Sequence, residues 1–183
     1  IVMFMDRWDE PYALRRAWCV WEVYGVAKSQ KQIQIALPES EHQRYIEELV
    51  KDYNNILSSV ATIDVETAQC FNPKDLAMIH QAIQNNSSFG ELNELVRSQL
   101  RLWVASTGDL EISKEESKGK RSNTARIGYL AEVVGGTYRL QGLYERALEL
   151  LQKSLEIYRS KASKEKSKKS TEDLATALSN IAL

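Results

Sequence analysis

The chain has 183 residues, 43% of them hydrophobic, which is enough for one large or two small domains with a buried core. Its 24 Lys and Arg against 25 Asp and Glu leave a net charge of −1, so no global field draws it to nucleic acid or to an anionic membrane. Two cysteines, Cys19 and Cys70, stand far apart and outside any zinc-ligand spacing, and they read as reduced thiols of a cytoplasmic protein.

The apolar opening Ile1 to Met5 is too short to span a bilayer and is followed at once by Asp6, Arg7 and Trp8, so it reads as neither signal peptide nor anchor. There is no initiator Met, and the chain ends on Asn180-Ile181-Ala182-Leu183 in a helical pattern without a stop signal; both ends read as cut from a longer polypeptide. Residues Ile1 to Phe4 are β-prone, and a polar loop through Pro11 leads to a helix expected from about Tyr12 to Ala27. Leu14, Ala17, Trp18, Trp21 and Tyr24 fall on one face of it by helical spacing. Lys31 to Leu37 alternates polar and apolar before Pro38, the pattern of a strand that the proline ends. Strand, helix, strand fits a parallel βαβ unit over residues 1–38.

A helical extension is expected over 39–105. Its first helix starts at a capping box of Ser40 and Gln43 and carries Tyr45, Ile46, Leu49, Val50, Tyr53, Ile56 and Leu57 on one stripe. Thr62 to Phe71 leans helical. Asn72 and Pro73 then open a short helix as N-cap and N1, and Ser88 with Glu91 caps a longer one through Leu92, Val96, Leu100 and Trp103. Residues 106–124 lose apolar content and are expected to be a linker between domains.

Within 125–183, Arg126 to Tyr158 reads as two helices joined by Leu140-Gln141-Gly142-Leu143, with the glycine supplying the turn. Gly135, Tyr138, Gly142, Tyr144, Ala147 and Leu151 follow a small-aromatic-Gly-aromatic-Ala order that resembles the tetratricopeptide repeat, particularly its kinesin light chain-like subclass. Ser154, where that family usually has Ala, and Arg159, near a usual Pro, depart from it. A second repeat resembling the first begins near Asp173 and is truncated; the extra length falls in a lysine-rich loop, Ser160 to Ser170. Its lysines at 161, 164, 166, 168 and 169 read as a solvated loop, with a basic docking site as the alternative. The resemblance implies a protein–protein interaction scaffold that binds a protein or peptide on the first helix of each hairpin, near Arg126, Glu132 and Arg139. An ordinary hairpin without repeat partners is the alternative.

The order strand, loop, Arg15-Arg16-Ala17-Trp18-Cys19-Val20-Trp21-Glu22, strand resembles the C-terminal half of a Toll/interleukin receptor (TIR)-like domain. In members that cleave NAD, a glutamate acts within Trp-x-x-x-Glu; Trp18 and Glu22 have that spacing, so the resemblance implies a catalytic Glu22 supported by Trp18 in a low-dielectric wall. The alternatives are core anchors at Trp18 and Trp21 with Glu22 paired to Arg15 or Arg16 or facing water, and an N-terminal element used for self-association. His42 and His80 are isolated, and no phosphate loop, GxSxG or GxGxxG occurs, so neither metal nor cofactor is expected. The expected fold is mainly α, with a short α/β element at the N-terminus and the start of a helical solenoid at the other end.

Overall fold

The computed structural model describes residues 2–29, 31–165, 175–176 and 178–179. The protein is mainly helical, with a short two-stranded parallel sheet at its N-terminal end. It divides into two compact units, Ile1–Trp103 and Val104–Leu183, and the division falls inside one long helix.

In the first unit, β1 (Val2–Phe4) pairs in parallel with β2 (Gln34–Ala36), Met3 opposite Ile35. The crossover between them is not one helix. Tyr12–Arg15 forms a 3-10 turn, Arg16 is extended, and α1 runs Ala17–Lys28. The interruption has a long-range cause: the Gln69 N–H donates to the Arg15 carbonyl at 2.8 Å and the Ala17 N–H donates to the Gln69 carbonyl at 2.9 Å. A strand-like pairing with residue 69 thus takes the place of a local helical turn. The buried face of α1 consists of Ala17, Val20, Val23, Tyr24 and Val26, and Trp18 is 39% exposed.

The stripe expected as one helix after Pro38 is two, α2 (Glu39–Lys51) and α3 (Tyr53–Ala61). Asp52 separates them: its N–H closes α2 onto the Glu48 carbonyl at 2.7 Å, and its carboxylate accepts the Asn55 N–H at 3.1 Å as the N-cap of α3. Ser40 makes no capping box, because α2 begins at Glu39, ahead of it. The apolar spacing survives the break in part, with Tyr45, Leu49, Tyr53 and Ile56 buried and Ile46, Val50 and Leu57 half-buried.

Residues 62–71 are not the helix expected of them; only Val65–Thr67 makes a 3-10 turn. Side chains satisfy this segment's backbone in place of helical bonds. Asn93 accepts the Val65 N–H at 2.8 Å, and the Arg97 guanidinium donates to the Ile63 carbonyl through Nε at 3.1 Å and Nη2 at 2.8 Å. Asn93 and Arg97 stand on α5 (Phe89–Glu116), which follows α4 (Pro73–Asn86). The caps read from sequence hold there. Asn72 Oδ1 accepts the Lys74 N–H at 3.0 Å, and Ser88 and Glu91 exchange hydrogen bonds at 3.1 and 3.2 Å. With 14 residues, α4 is not short. Tyr45 stacks on Trp103 with centroids 4.6 Å apart and meets Trp8 at 6.0 Å, joining the loop before α1, α2 and α5 in one aromatic core.

The second unit contains the end of α5, then α6 (Thr124–Leu140) and α7 (Tyr144–Glu165). Residues 106–116 belong to α5 and are not a linker. Composition misleads here because Glu111 and Glu115 are themselves buried, beside Ile112 and under ion pairs with Lys114, Lys118 and Arg126. Likewise α7 continues to Glu165, so the first part of the lysine-rich segment is helix. Lys166, Lys168 and Lys169, and most of the expected second repeat, lie outside the described residues; Ala175, Thr176, Leu178 and Ser179 are helical. Among the described residues no helix is long and apolar enough to cross a membrane.

Candidate functional site

The α6–α7 hairpin is built on two glycines that allow close packing and a third that turns the chain. A Cβ on Gly128 would lie 3.0 Å from Ile157 Cγ2, and one on Gly135 would lie 3.0 Å from Leu151 Cγ and 3.2 Å from the Ala147 carbonyl oxygen. At these points a hydrogen is all that fits between the helices. Gly142 closes α6 with φ +76°; its N–H donates to the Arg139 carbonyl at 3.0 Å and the Leu143 N–H to the Tyr138 carbonyl at 2.9 Å. This is the Schellman arrangement, which needs a left-handed residue where Gly142 stands. Tyr138, Ala147 and Leu151 are buried, as is Ser154, whose Oγ has no hydrogen-bond partner. Tyr144, in contrast, is exposed.

Ion pairs tie the second half of α5 to this hairpin. Asp109 takes two hydrogen bonds from Arg146, Nε to Oδ2 at 2.9 Å and Nη2 to Oδ1 at 2.6 Å, and Lys153 donates to Glu116 at 2.7 Å. Both contacts join residues 37 apart, so α5 and α7 run in the same direction in this unit. Asp109, then Glu149, holds the Arg146 guanidinium protonated well above its usual range. Burial, and secondly the Asp109 charge, raises the Tyr138 hydroxyl. Glu115 is held below the usual carboxylate range by the Lys118 ammonium and then by the Asn123 N–H, which it accepts at 2.8 Å.

Of the residues expected to face a partner, Arg126 points toward Glu111 and Glu115 at 3.7 and 3.8 Å, and Glu132 accepts the Tyr158 hydroxyl at 3.1 Å. Arg139 is half-buried and its Nε is without a hydrogen bond.

In the first unit, Glu22 is exposed and makes no hydrogen bond or ion pair among the described residues. It borders a cavity of about 460 Å³ together with Phe4, Asp6, Tyr12, Arg16 and Cys19. Trp18 borders a different cavity, of about 800 Å³, with Tyr12, Arg16 and Phe71. The two residues of the Trp-x-x-x-Glu spacing are therefore neither buried together nor gathered on one cleft. The cavity at Trp18 was not visible in the sequence, because its wall joins residues 12–18 to residues 67–75.

No family model matches the chain, and neither a curated protein nor a solved structure matches it.

Proposed function

We propose that the chain is a protein–protein interaction scaffold in which α6 and α7 form a tetratricopeptide-like unit that offers α6 to a protein or peptide partner. The observation that carries this reading is the close approach at Gly135, with Ala147 and Leu151 opposite it, in the residue order the resemblance supplies. The 37-residue offset between the ion-paired positions of α5 and α7 adds to it, because successive second helices of such an array run parallel about one ~34-residue repeat apart. Panning a displayed random-peptide library against the 183-residue chain tests the reading. Selected peptides are expected to lose most of their affinity for Arg139→Ala, at a half-buried position of α6 that the resemblance assigns to the partner-facing side. A selection that yields no binders, or only binders indifferent to that change, sinks it.

A second reading, NAD cleavage by a TIR-like element, is favoured by one observation: Glu22 is an unpaired carboxylate on a cavity of small-molecule size that also holds Arg16 and Tyr12. Self-association through the same element is a third.

A further inference from the structure

The larger cavity of the first unit has features that the reading of α6 and α7 does not use. It is about 800 Å³ in volume, and three aromatic side chains, Tyr12, Trp18 and Phe71, stand exposed on its rim; Phe71 is 105% exposed, so nothing among the described residues packs on it. Aromatic residues and arginine together are the residue types that dominate the binding energy of protein interfaces.

The charges around the cavity select the partner. Arg16 makes no hydrogen bond or ion pair among the described residues, and Arg15 is engaged by Glu10 at the surface. Asp75, on the same wall, accepts the Asn72 side-chain amide at 3.0 Å and makes no ion pair with Arg16. Arg16 is therefore a guanidinium without an ion-pair partner among the described residues, and it lies beside the aromatic rings. Arg16 and Gln69 hold the floor in an extended, strand-like pairing, so the groove has fixed backbone beneath it. We propose that this groove docks an extended peptide in which a carboxylate side chain adjoins an aromatic one. The carboxylate meets Arg16, and the ring packs among Trp18, Tyr12 and Phe71. A nucleic acid fits less well, because one unpaired guanidinium is not the run of cations that a phosphate backbone needs.

Fluorescence anisotropy on the full chain tests this with three labelled peptides of equal length, repeating Glu-Phe, Lys-Phe and Glu-Ser. The Glu-Phe peptide is expected to bind at least about tenfold more tightly than either control, a difference of about 1.4 kcal/mol, and to weaken with added salt. Arg16→Glu should invert the preference between Glu-Phe and Lys-Phe, while Trp18→Ala and Phe71→Ser should each weaken Glu-Phe binding by about tenfold. All three side chains are exposed, so matching thermal melts will show that the variants fold. Equal affinity for the three peptides, no binding, or indifference to Arg16→Glu overturns the proposal. So does tighter binding of an oligouridylate, or a dimer in sedimentation that Phe71→Ser dissolves.

Discussion

Gly135 and Gly136 are adjacent in the chain and differ in what surrounds them. A methyl group on Gly136 would meet nothing within 4 Å, whereas one on Gly135 would press on Leu151 and on the Ala147 carbonyl oxygen. Alanine is favoured over glycine in a helix interior by about 1 kcal/mol, and overpacking a tight contact costs about 1–3 kcal/mol. Gly136→Ala should therefore raise stability by up to about 1 kcal/mol, and Gly135→Ala should lower it by about 1 kcal/mol, as read from urea denaturation. Opposite signs from neighbouring positions would locate the helix contact; equal signs would argue against it. Ser154 offers a complementary case, because its fully buried hydroxyl is unsatisfied. Ser154→Ala removes that polar group in a slot already sized for a small residue and should stabilise by about 1 kcal/mol in the same measurement. Gly135 and Gly142 were legible in the sequence because a close approach and a left-handed turn each admit few residues. The exposure of Tyr144 was not, since an aromatic at that place in the resemblance does not say what covers it.

At the scale of elements, α5 is the instructive case. Its capping box was readable at Ser88 and Glu91, but its length was not, because the polar composition after Ser106 hides carboxylates that are buried and paired. Asp109 and Arg146 meet in a two-pronged, half-exposed pair, a geometry that resists the usual loss to solvent screening. A double-mutant cycle of Asp109→Ala and Arg146→Ala should give a coupling of about 1 kcal/mol; none would mean that this end of α5 is not held by α7. Glu115 adds a pH dependence. Its folded pKa lies below its unfolded value, chiefly through Lys118, so its contribution is complete above the unfolded value of about 4.3 and is lost as acid carries the pH down through the folded one. The thermal midpoint should fall on acidification below about pH 4, and Glu115→Gln should make that fall shallower. Elsewhere, helices capped by their own neighbours were legible, as with Asn72. The breaks at Arg16 and in residues 62–71 were not, because distant groups on Gln69, Asn93 and Arg97 supply the hydrogen bonds.

For the whole molecule, the mainly helical class with a parallel strand pair at the front followed from periodicity alone, while the division into two units within α5 did not, since a helix can run on across a change of core. The same limit applies to chemistry. A four-residue spacing put Trp18 and Glu22 one turn apart, but the two residues border separate cavities. A catalytic glutamate needs a dry, preorganised setting to stabilise charge as a nicotinamide leaves. Glu22 is exposed and has no hydrogen-bond partner among the described residues to orient it. The 183-residue chain should therefore release no more nicotinamide from NAD than its Glu22→Ala variant, with both shown to be folded and with a crowding agent present to favour any assembly between copies. Turnover that vanished in the variant would show that assembly or ligand binding completes the cleft, and would put an enzyme in place of the proposed scaffold.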